Sequence, residues 1–330
     1  MAPGARVFDV GDAGLQLVCG DTVDPVTNAR VVQVARRVRA RGLRGVRDVV
    51  PTYCSVAVYL DPLRADVDEI RNLLLREAAT AVPHHQDGVL HEIPTVYGGE
   101  SGPDLAAVAA DSGLSVRQVI SAHAACVFRV FMMGFLPGFA YMGVLPDVLV
   151  ARRHATPRPA VPAGTVGVAG RQTGIYPRQS PGGWALIGRT SLRLFDTSWA
   201  RPSLLAPGDQ VRFLPVEREA FPTEPAAIRD DGAADPAIVI ERPGLLSTVQ
   251  DLGRWGHGAD GVGVGGAMDT VSLRRANAAV GNRPGDAGIE ITVLGPELVV
   301  TRDSVMSVAG AEVDVHVDGK PVAPDMPWMV

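Results

Sequence analysis

The stretch VAGRQTGIYPRQSPGGWALIGRT, residues 168–190, concentrates groups able to bind and polarise a small polar molecule. Gln172 and Thr173 bring an amide and a hydroxyl, which together can meet the N–H and C=O of another amide. Arg189, and Arg158 a little upstream, carry guanidinium forks suited to a carboxylate or phosphate; charge-assisted pairs of that kind contribute roughly 1.5–3 kcal/mol each. Tyr176 and Trp184 supply flat apolar walls with polar handles. Gly182 and Gly183 let backbone N–H groups converge on an anion, because no Cβ blocks the approach. The stretch holds no carboxylate, which would repel such a guest. The same residues also have an architectural reading: the glycines of PGGW and VPAGT turn strands, Trp184 fills a core, and Gln172 and Arg189 brace loops.

Two other runs bring chemistry of their own. GFLPGFAY (134–141) offers Gly134, Phe135, Pro137, Gly138, Phe139 and Tyr141, aromatic residues that either line a groove or belong to the core. Further on, Gln250, Asp251 and Arg254 place acceptors and a cation in one turn, with Asp269, Asn277 and Glu290 behind them. An Asp–Arg pair that merely fixes a loop is the alternative there.

Elements must hold these groups in place. Residues 5–20 form a hairpin turning at GDAG, and Val31, Val34, Ala35 and Val38 repeat at helical spacing from Pro25 to about Arg41. Residues 45–61 give two β-branched runs broken by Pro51. A helix follows, starting at the Asp-Pro of DPLRADVDEI. After a strand near 89–97 and two short helices (about 104–111 and 115–123), short apolar runs alternate with Gly/Pro turns from 126 to 215, the pattern of a closed or nearly closed barrel. The expected organisation is an α/β domain at 1–88, a β-barrel at 89–215, a linker at 216–236 and a second β-rich unit at 237–330. That unit is expected to leave apolar faces uncovered, which invites association.

Composition excludes several function classes. The chain has one lysine, Lys320, and therefore no phosphate-loop lysine, no Schiff-base lysine and no Ser-x-x-Lys dyad before it. A net charge of −5 argues against general nucleic-acid binding. Seven arginines (Arg30, Arg36, Arg37, Arg39, Arg41, Arg44, Arg47) are nevertheless clustered, as a solvated helix face or a surface for an anionic partner. No apolar run is long enough to span a bilayer, so the expectation is cytoplasmic. Cys19, Cys54 and Cys126 lack the spacing of a zinc knuckle and read as small hydrophobes. GVGVGG (261–266) is not preceded by a strand and so is no dinucleotide fingerprint, and GGESG (98–102) is no nucleophile elbow. HHQDGVLH (84–91) reads as a surface loop, and His123 as a core or capping residue.

The runs YGGESGPDL (97–105), GFLPGFAYMGVLP (134–146), TPRPAVPAGTVGVAG (156–170), QTGIYP (172–177) and SPGGWALIGRT (180–190) closely resemble the bacterial 5-oxoprolinase B subunit, the KipI-like or allophanate hydrolase subunit one family. PGLLSTVQDLGRWGHGADGVGVGGAMD (243–269) and IEITVLGPEL (289–298) resemble the start of the C subunit, the KipA-like family. The resemblance implies an α+β N-terminal domain, a cyclophilin-like β-barrel, and an incomplete second cyclophilin-like domain at the C-terminus. It also implies ATP with Mg2+ and partnership with an A subunit and with the remainder of a C-subunit-like domain, without nucleic acid, membrane or a biotin attachment site.

The activity so implied is ATP-dependent hydrolysis of 5-oxo-L-proline to L-glutamate, by a chain inactive alone. Gln172, Arg189 and Tyr176 would be catalytic. Gly134, Phe135, Pro137, Gly138, Phe139, Arg158, Thr173, Gly182, Gly183, Trp184 and Thr190 would bind substrate or ATP, with Gln250, Asp251, Arg254 and Asp269 from the second unit. No residue is assigned to a metal. Two alternatives come with the relatives: a regulatory module that inhibits a sensor histidine kinase through the arginine-rich segment, and the carboxyltransferase part of a urea-carboxylase or allophanate-type system.

Overall fold

The computed structural model describes residues 4–82, 88–149, 151–217 and 236–330. The expected linker at 216–236 and the first half of HHQDGVLH fall largely outside these. The chain divides into two compact units, Met1–Glu224 with Trp255–Gly263, and Pro225–Arg254 with Val264–Val330.

The first unit opens with a four-stranded antiparallel sheet in the order β1 (Arg6–Asp9), β2 (Gly14–Val18), β4 (Ser55–Leu60), β3 (Val46–Pro51). Alternation along β2 and β4 turns Leu15, Leu17, Val56, Val58 and Leu60 inward. Helices α1 (Pro25–Ala40) and α2 (Val67–Thr80) cover them with Val31, Val34, Val38, Ile70 and Leu74. Asp24 caps α1 by accepting from Thr27 N–H, and Pro25 stands at its first turn, where a missing N–H costs nothing. The start of α2 differs from expectation. Its cap is Asp66, which accepts from Glu69 N–H, while Asp61 turns back to Leu63 N–H and pairs with Arg47 at 3.3 Å. The Asp-Pro step is therefore a turn before the helix.

The clustered arginines brace this domain. Arg30 donates to the Ala78 carbonyl at 2.9 Å, Arg36 to the Pro207 carbonyl at 3.3 Å, and Arg39 to the Val49 carbonyl. Arg37 and Arg41 both clasp Glu77 at 3.2 Å. Arg47 also lies over the Trp255 ring at 5.1 Å.

The rest of the first unit is a closed seven-stranded barrel. Its strands are β5 (Leu90–Tyr97), β6 (Phe128–Met133), β7 (Ala140–Gly143), β9 (Thr165–Ala169), β10 (Gln172–Ile175), β12 (Ala185–Arg189) and β13 (Gln210–Pro215), in the order β10-β7-β6-β13-β5-β12-β9. Only β13 against β5 is parallel within it. Ile93, Phe128, Val130, Met142, Val166, Val168, Ile187 and Phe213 fill the interior. Helices α3 (Leu105–Asp111) and α4 (Val116–Ala124) pack against this core, and α4 inserts His123 between Phe128 and Phe213. A separate ribbon pairs β8 (Arg158–Val161) with β11 (Ser180–Gly182). The segment Trp255–Gly263 belongs to this unit: Gly258 N–H donates to Asp48 at 2.8 Å, and Ser203 Oγ donates to the Asp260 carbonyl at 2.9 Å.

The second unit is built from two-stranded pairs: β14 (Ile238–Arg242) with β17 (Glu297–Val300), β15 (Leu246–Gln250) with β16 (Gly288–Thr292), and shorter ribbons beyond. One helix, α5 (Thr270–Ala279), is capped by Asp269. The three apolar cores of the described residues all lie in the first unit. Here Ile240, Leu246, Val249, Ile289, Ile291 and Leu294 stand exposed, so the expected uncovered apolar faces are present. No helix among the described residues is long and apolar enough to cross a membrane.

Candidate functional site

Two glycines make a floor on the outside of the barrel. Gly167 of β9 and Gly174 of β10 face each other across the ladder. A Cβ on Gly174 would stand 2.9 Å from Phe139 and 3.1 Å from Trp184; one on Gly167 would stand 3.1 Å from Trp184 and 3.3 Å from Tyr176. Their bareness lets the rings lie directly on the strands. Phe139 contacts Tyr176 and Trp184 edge to face at 5.4 and 5.6 Å, and Tyr141 lies 4.9 Å from Phe139 and 5.9 Å from Trp184, the geometry aromatic quadrupoles favour. Phe135 stands at the rim, 58% exposed, with a left-handed backbone (φ 67°) and its ring edge-on to Phe139 at 5.4 Å. Gly138, also left-handed, closes the turn that returns the chain to Phe139.

Polar groups gather beside this floor. Gln172 Nε2 donates to Tyr53 Oη at 2.6 Å, and the Tyr53 ring lies 6.1 Å from Tyr141. The other polar atoms of the Gln172 amide have no side-chain partner among the described residues. Burial pushes the Tyr53 phenol up, against the opposing Gln172 bond and the Arg153 charge, and likewise raises Tyr141 and Tyr176. All three therefore stay protonated at neutral pH and remain donors. At Tyr176 the Trp184 backbone N–H and the Arg153 and Arg158 charges oppose that rise without cancelling it. Gly182 fits against that phenol so closely that a Cβ would come within 2.5 Å of its oxygen, while the Gly183 carbonyl accepts from His154 N–H at 2.8 Å.

A cationic strap, residues 151–158, crosses the same rings. The Arg153 guanidinium lies 5.8 Å from the Trp184 ring centre, and no carboxylate among the described residues pairs with it. Arg158 Nη2 bonds Asp104 Oδ1 at 2.6 Å, and His154 Nε2 meets Asp104 Oδ2 at 3.2 Å. The Leu186 N–H donates to the same carboxylate at 2.7 Å. Burial works against the Asp104 charge, but these bonds outweigh it and hold the carboxyl below its usual range. Asp104 precedes α3 without capping it, because its side chain is turned to the strap. Arg158 Nη1 is buried with no partner.

Several candidates stand elsewhere. Consecutive strand residues point to opposite faces. Thr173 accordingly turns into the barrel, 3.0 Å from His123 Nε2, away from its neighbour Gln172. His123 Nδ1 meets Tyr97 Oη at 2.8 Å, and burial drops the imidazole to about 3. Gln172 pairs with Ala169 and Arg189 with Thr165, so they sit at opposite ends of β9, about 13 Å apart at strand rise. The Arg189 Nε–H donates to the Ala163 carbonyl at 2.8 Å, and Thr190 N–H donates to the Gly164 carbonyl at 2.9 Å, with Thr190 Oγ1 accepting from Leu192 N–H. Arg189 and Thr190 thus fix the turn before β9 and do not join Gln172. Pro137 is half-buried in the GFLPGF turn, beside Gly134, whose N–H donates to the Phe139 carbonyl at 3.1 Å.

The remaining candidates belong to the second unit. Gln250 donates to Thr248, Asp251 accepts from Gly253 N–H, and Arg254 lies beside Gly265. Asp269 accepts from Val271 and Ser272 at the start of α5. These are loop and cap contacts. Among the described residues no three His, Cys, Asp or Glu side chains form a metal site.

Sequence reasoning missed Tyr53, Asp104, Arg153 and His154. The dense cation run Arg152-Arg153-His154 so close to Arg158 was the available signal.

Residues 5–205 match the family described as carboxyltransferase domain, subdomain C and D, and residues 260–330 match carboxyltransferase domain, subdomain A and B. The chain is 42% identical over 214 residues to the 5-oxoprolinase B subunit of Escherichia coli O157:H7, covering 64% of this chain and 96% of that protein. It is 38% identical over 76 residues to the 5-oxoprolinase C subunit of Haemophilus influenzae, covering 23% of this chain and 25% of that protein. The crystal structure of TTHA0988 matches with a TM-score of 0.80 and 35% identity. That match covers 96% of this chain, which spans 63% of the TTHA0988 chain.

Proposed function

The chain belongs to the carboxyltransferase-domain family, and on that premise we propose that it is a component of an ATP-dependent 5-oxoprolinase, opening the lactam of 5-oxoproline to glutamate. The observation that carries the reading is the likeness to the B subunit along nearly that protein's whole length. The C-terminal likeness to about a quarter of the C subunit supports a fusion of the two. In this reading the barrel is cyclophilin-like, the second unit is the first portion of another such barrel, and an A subunit completes the hydrolysis in the cytoplasm. The chain is then inactive by itself.

An amide resists hydrolysis because resonance stabilises it. Transfer of the ATP γ-phosphoryl group to the lactam oxygen, with release of ADP, activates the carbon; water adds there, the C–N bond breaks as the nitrogen takes a proton, and a second water hydrolyses the resulting acyl phosphate to the carboxylate and phosphate. The chain's own share is to receive and orient the ring. Tyr141 and the exposed Phe135, backed by the buried Phe139, Tyr176 and Trp184, offer the apolar surface against which a flat five-membered ring would lie. The Gln172 amide matches the lactam's N–H and C=O edge, and protonated Tyr53 is placed to donate to the lactam oxygen. Donors already oriented before reaction lower the barrier more than donors that must reorganise. Among the described residues no three His, Cys, Asp or Glu side chains gather around a metal, so Mg2+ would arrive with the phosphates of ATP.

A docking role for the arginine-rich segment is less favoured, since six of its seven arginines already bond within the fold. The test is glutamate release from 5-oxoproline by the chain combined with its A subunit and the rest of the C-subunit-like fold. ATP-dependent glutamate that disappears when this chain is omitted supports the reading. A complete, folded assembly that makes none rejects it.

A further inference from the structure

We propose that Arg153, with the spare nitrogen of Arg158, is the group that reads the substrate's carboxylate and so makes the site specific for an α-carboxylated lactam. The inference rests on the 5-oxoprolinase reading and names a residue that neither the motifs nor the likeness assigns.

Four observations converge. Arg153 lies over the Trp184 ring, a position that holds a guanidinium flat while leaving its edge donors free. No carboxylate among the described residues pairs with it, although most arginines of the first unit are bonded to an acid or a carbonyl. Arg158 is fixed by Asp104 through Nη2, yet its Nη1 is buried without a partner, and a buried unsatisfied donor is costly unless something fills it. The Tyr176 phenol feels the charge of both guanidinium groups, and Gly182, the cross-strand partner of Arg158, packs on its oxygen.

The two cations and the Gln172–Tyr53 pair thus border one aromatic cluster, and the Arg153 charge acts on Tyr53 and Tyr141 as well as on Tyr176. A 5-oxoproline ring bears its carboxylate on the carbon bonded to the lactam nitrogen, so one small ring presents an anion and an amide edge together to these groups. A neutral lactam such as 2-pyrrolidinone would leave the cations unmatched.

An oxyanion at this point has two sources in the reaction, the lactam's carboxylate and a phosphate of ATP, and kinetics separates them. In the full assembly, Arg153→Gln should raise KM for 5-oxoproline roughly 10- to 100-fold, one charge-assisted fork's worth, with KM for ATP unchanged. It should also shrink the preference for 5-oxoproline over 2-pyrrolidinone by a similar factor, and Arg153→Lys should recover part of both. Because Arg153 is exposed, the variant should unfold at the wild-type denaturant midpoint. A rise confined to KM for ATP, or an undiminished preference over 2-pyrrolidinone, overturns the proposal while the wild type still turns over 5-oxoproline. A wild-type assembly with no such turnover removes the underlying reading, and this inference with it.

Discussion

The two ends of strands β9, β10 and β12 carry similar residue types in opposite states. At one end, Arg189, Thr190 and the Gly164 turn have their donors engaged by backbone carbonyls. At the other, Gln172 keeps part of its amide open, Arg153 has no acid beside it among the described residues, and Arg158 holds a buried nitrogen without a partner. An arginine in a glycine-rich turn is thus no evidence of a site until its acceptors are known. What distinguishes a site from a brace is donor capacity left over after folding.

The contrast can be broken from the aromatic side first. Trp184 is 6% exposed and touches Phe139, Tyr141 and Arg153, so Trp184→Ala should lower unfolding free energy by about 3–5 kcal/mol, read by urea denaturation. A loss under about 1 kcal/mol would mean that the ring is a loose cover and not the floor. Tyr53→Phe removes one oriented hydroxyl and leaves the ring in place. It should cost roughly 100-fold in kcat/KM with an unchanged denaturation midpoint, and retention of full activity would remove Tyr53 from the site. Gly174→Ala forces a methyl against Phe139 and Trp184 and should cost about 1–3 kcal/mol by the same denaturation measurement.

At neutral pH the smallest effect concerns the buried imidazole inside the barrel, whose contribution changes only on acidification. Its folded value, about 3, lies below its ordinary 6.5, so the unfolded chain binds a proton that the folded chain refuses. Stability from this group is intact above pH 6.5 and falls as pH drops from 6.5 toward 3, on the order of 1 kcal/mol for each pH unit. His123→Gln, which keeps hydrogen-bonding atoms near Tyr97 and Thr173, should flatten that slope. An equal slope in the variant would assign the acid sensitivity to other groups.

Much of this architecture was legible in the sequence. The α1 periodicity, the Pro51 break between β3 and β4, and the turn-separated strands of the barrel all follow from local pattern. The α2 start was misplaced because two Asp residues compete, and tertiary pairing with Arg47 draws Asp61 away. The candidate site was half legible. Tyr176, Trp184 and Phe139 do meet, with Gln172 joined to their neighbour Tyr141 through Tyr53 and Arg158 held beside them by Asp104, but Thr173 faces the other way by strand alternation, and Arg189 lies a strand's length off. Neither fact is visible without the register. Tyr53 and Asp104 come from other parts of the chain, 119 residues from Gln172 and 54 from Arg158, and no local pattern joins such groups. The exposed apolar strands of the second unit were foreseeable, since its runs are as apolar as the barrel's but lack a covering layer among the described residues.

The central claim is that the open end, and not the braced end, handles the lactam. Its most direct test is kcat/KM for 5-oxoproline in the full assembly with Gln172→Ala beside Arg189→Ala, each checked for an intact fold by near-UV circular dichroism. The account predicts a loss of roughly 100-fold or more for Gln172→Ala. It predicts a change of no more than about threefold for Arg189→Ala, whose cost should fall on stability at about 1–2 kcal/mol. A folded Arg189→Ala assembly that loses as much activity as Gln172→Ala would contradict it.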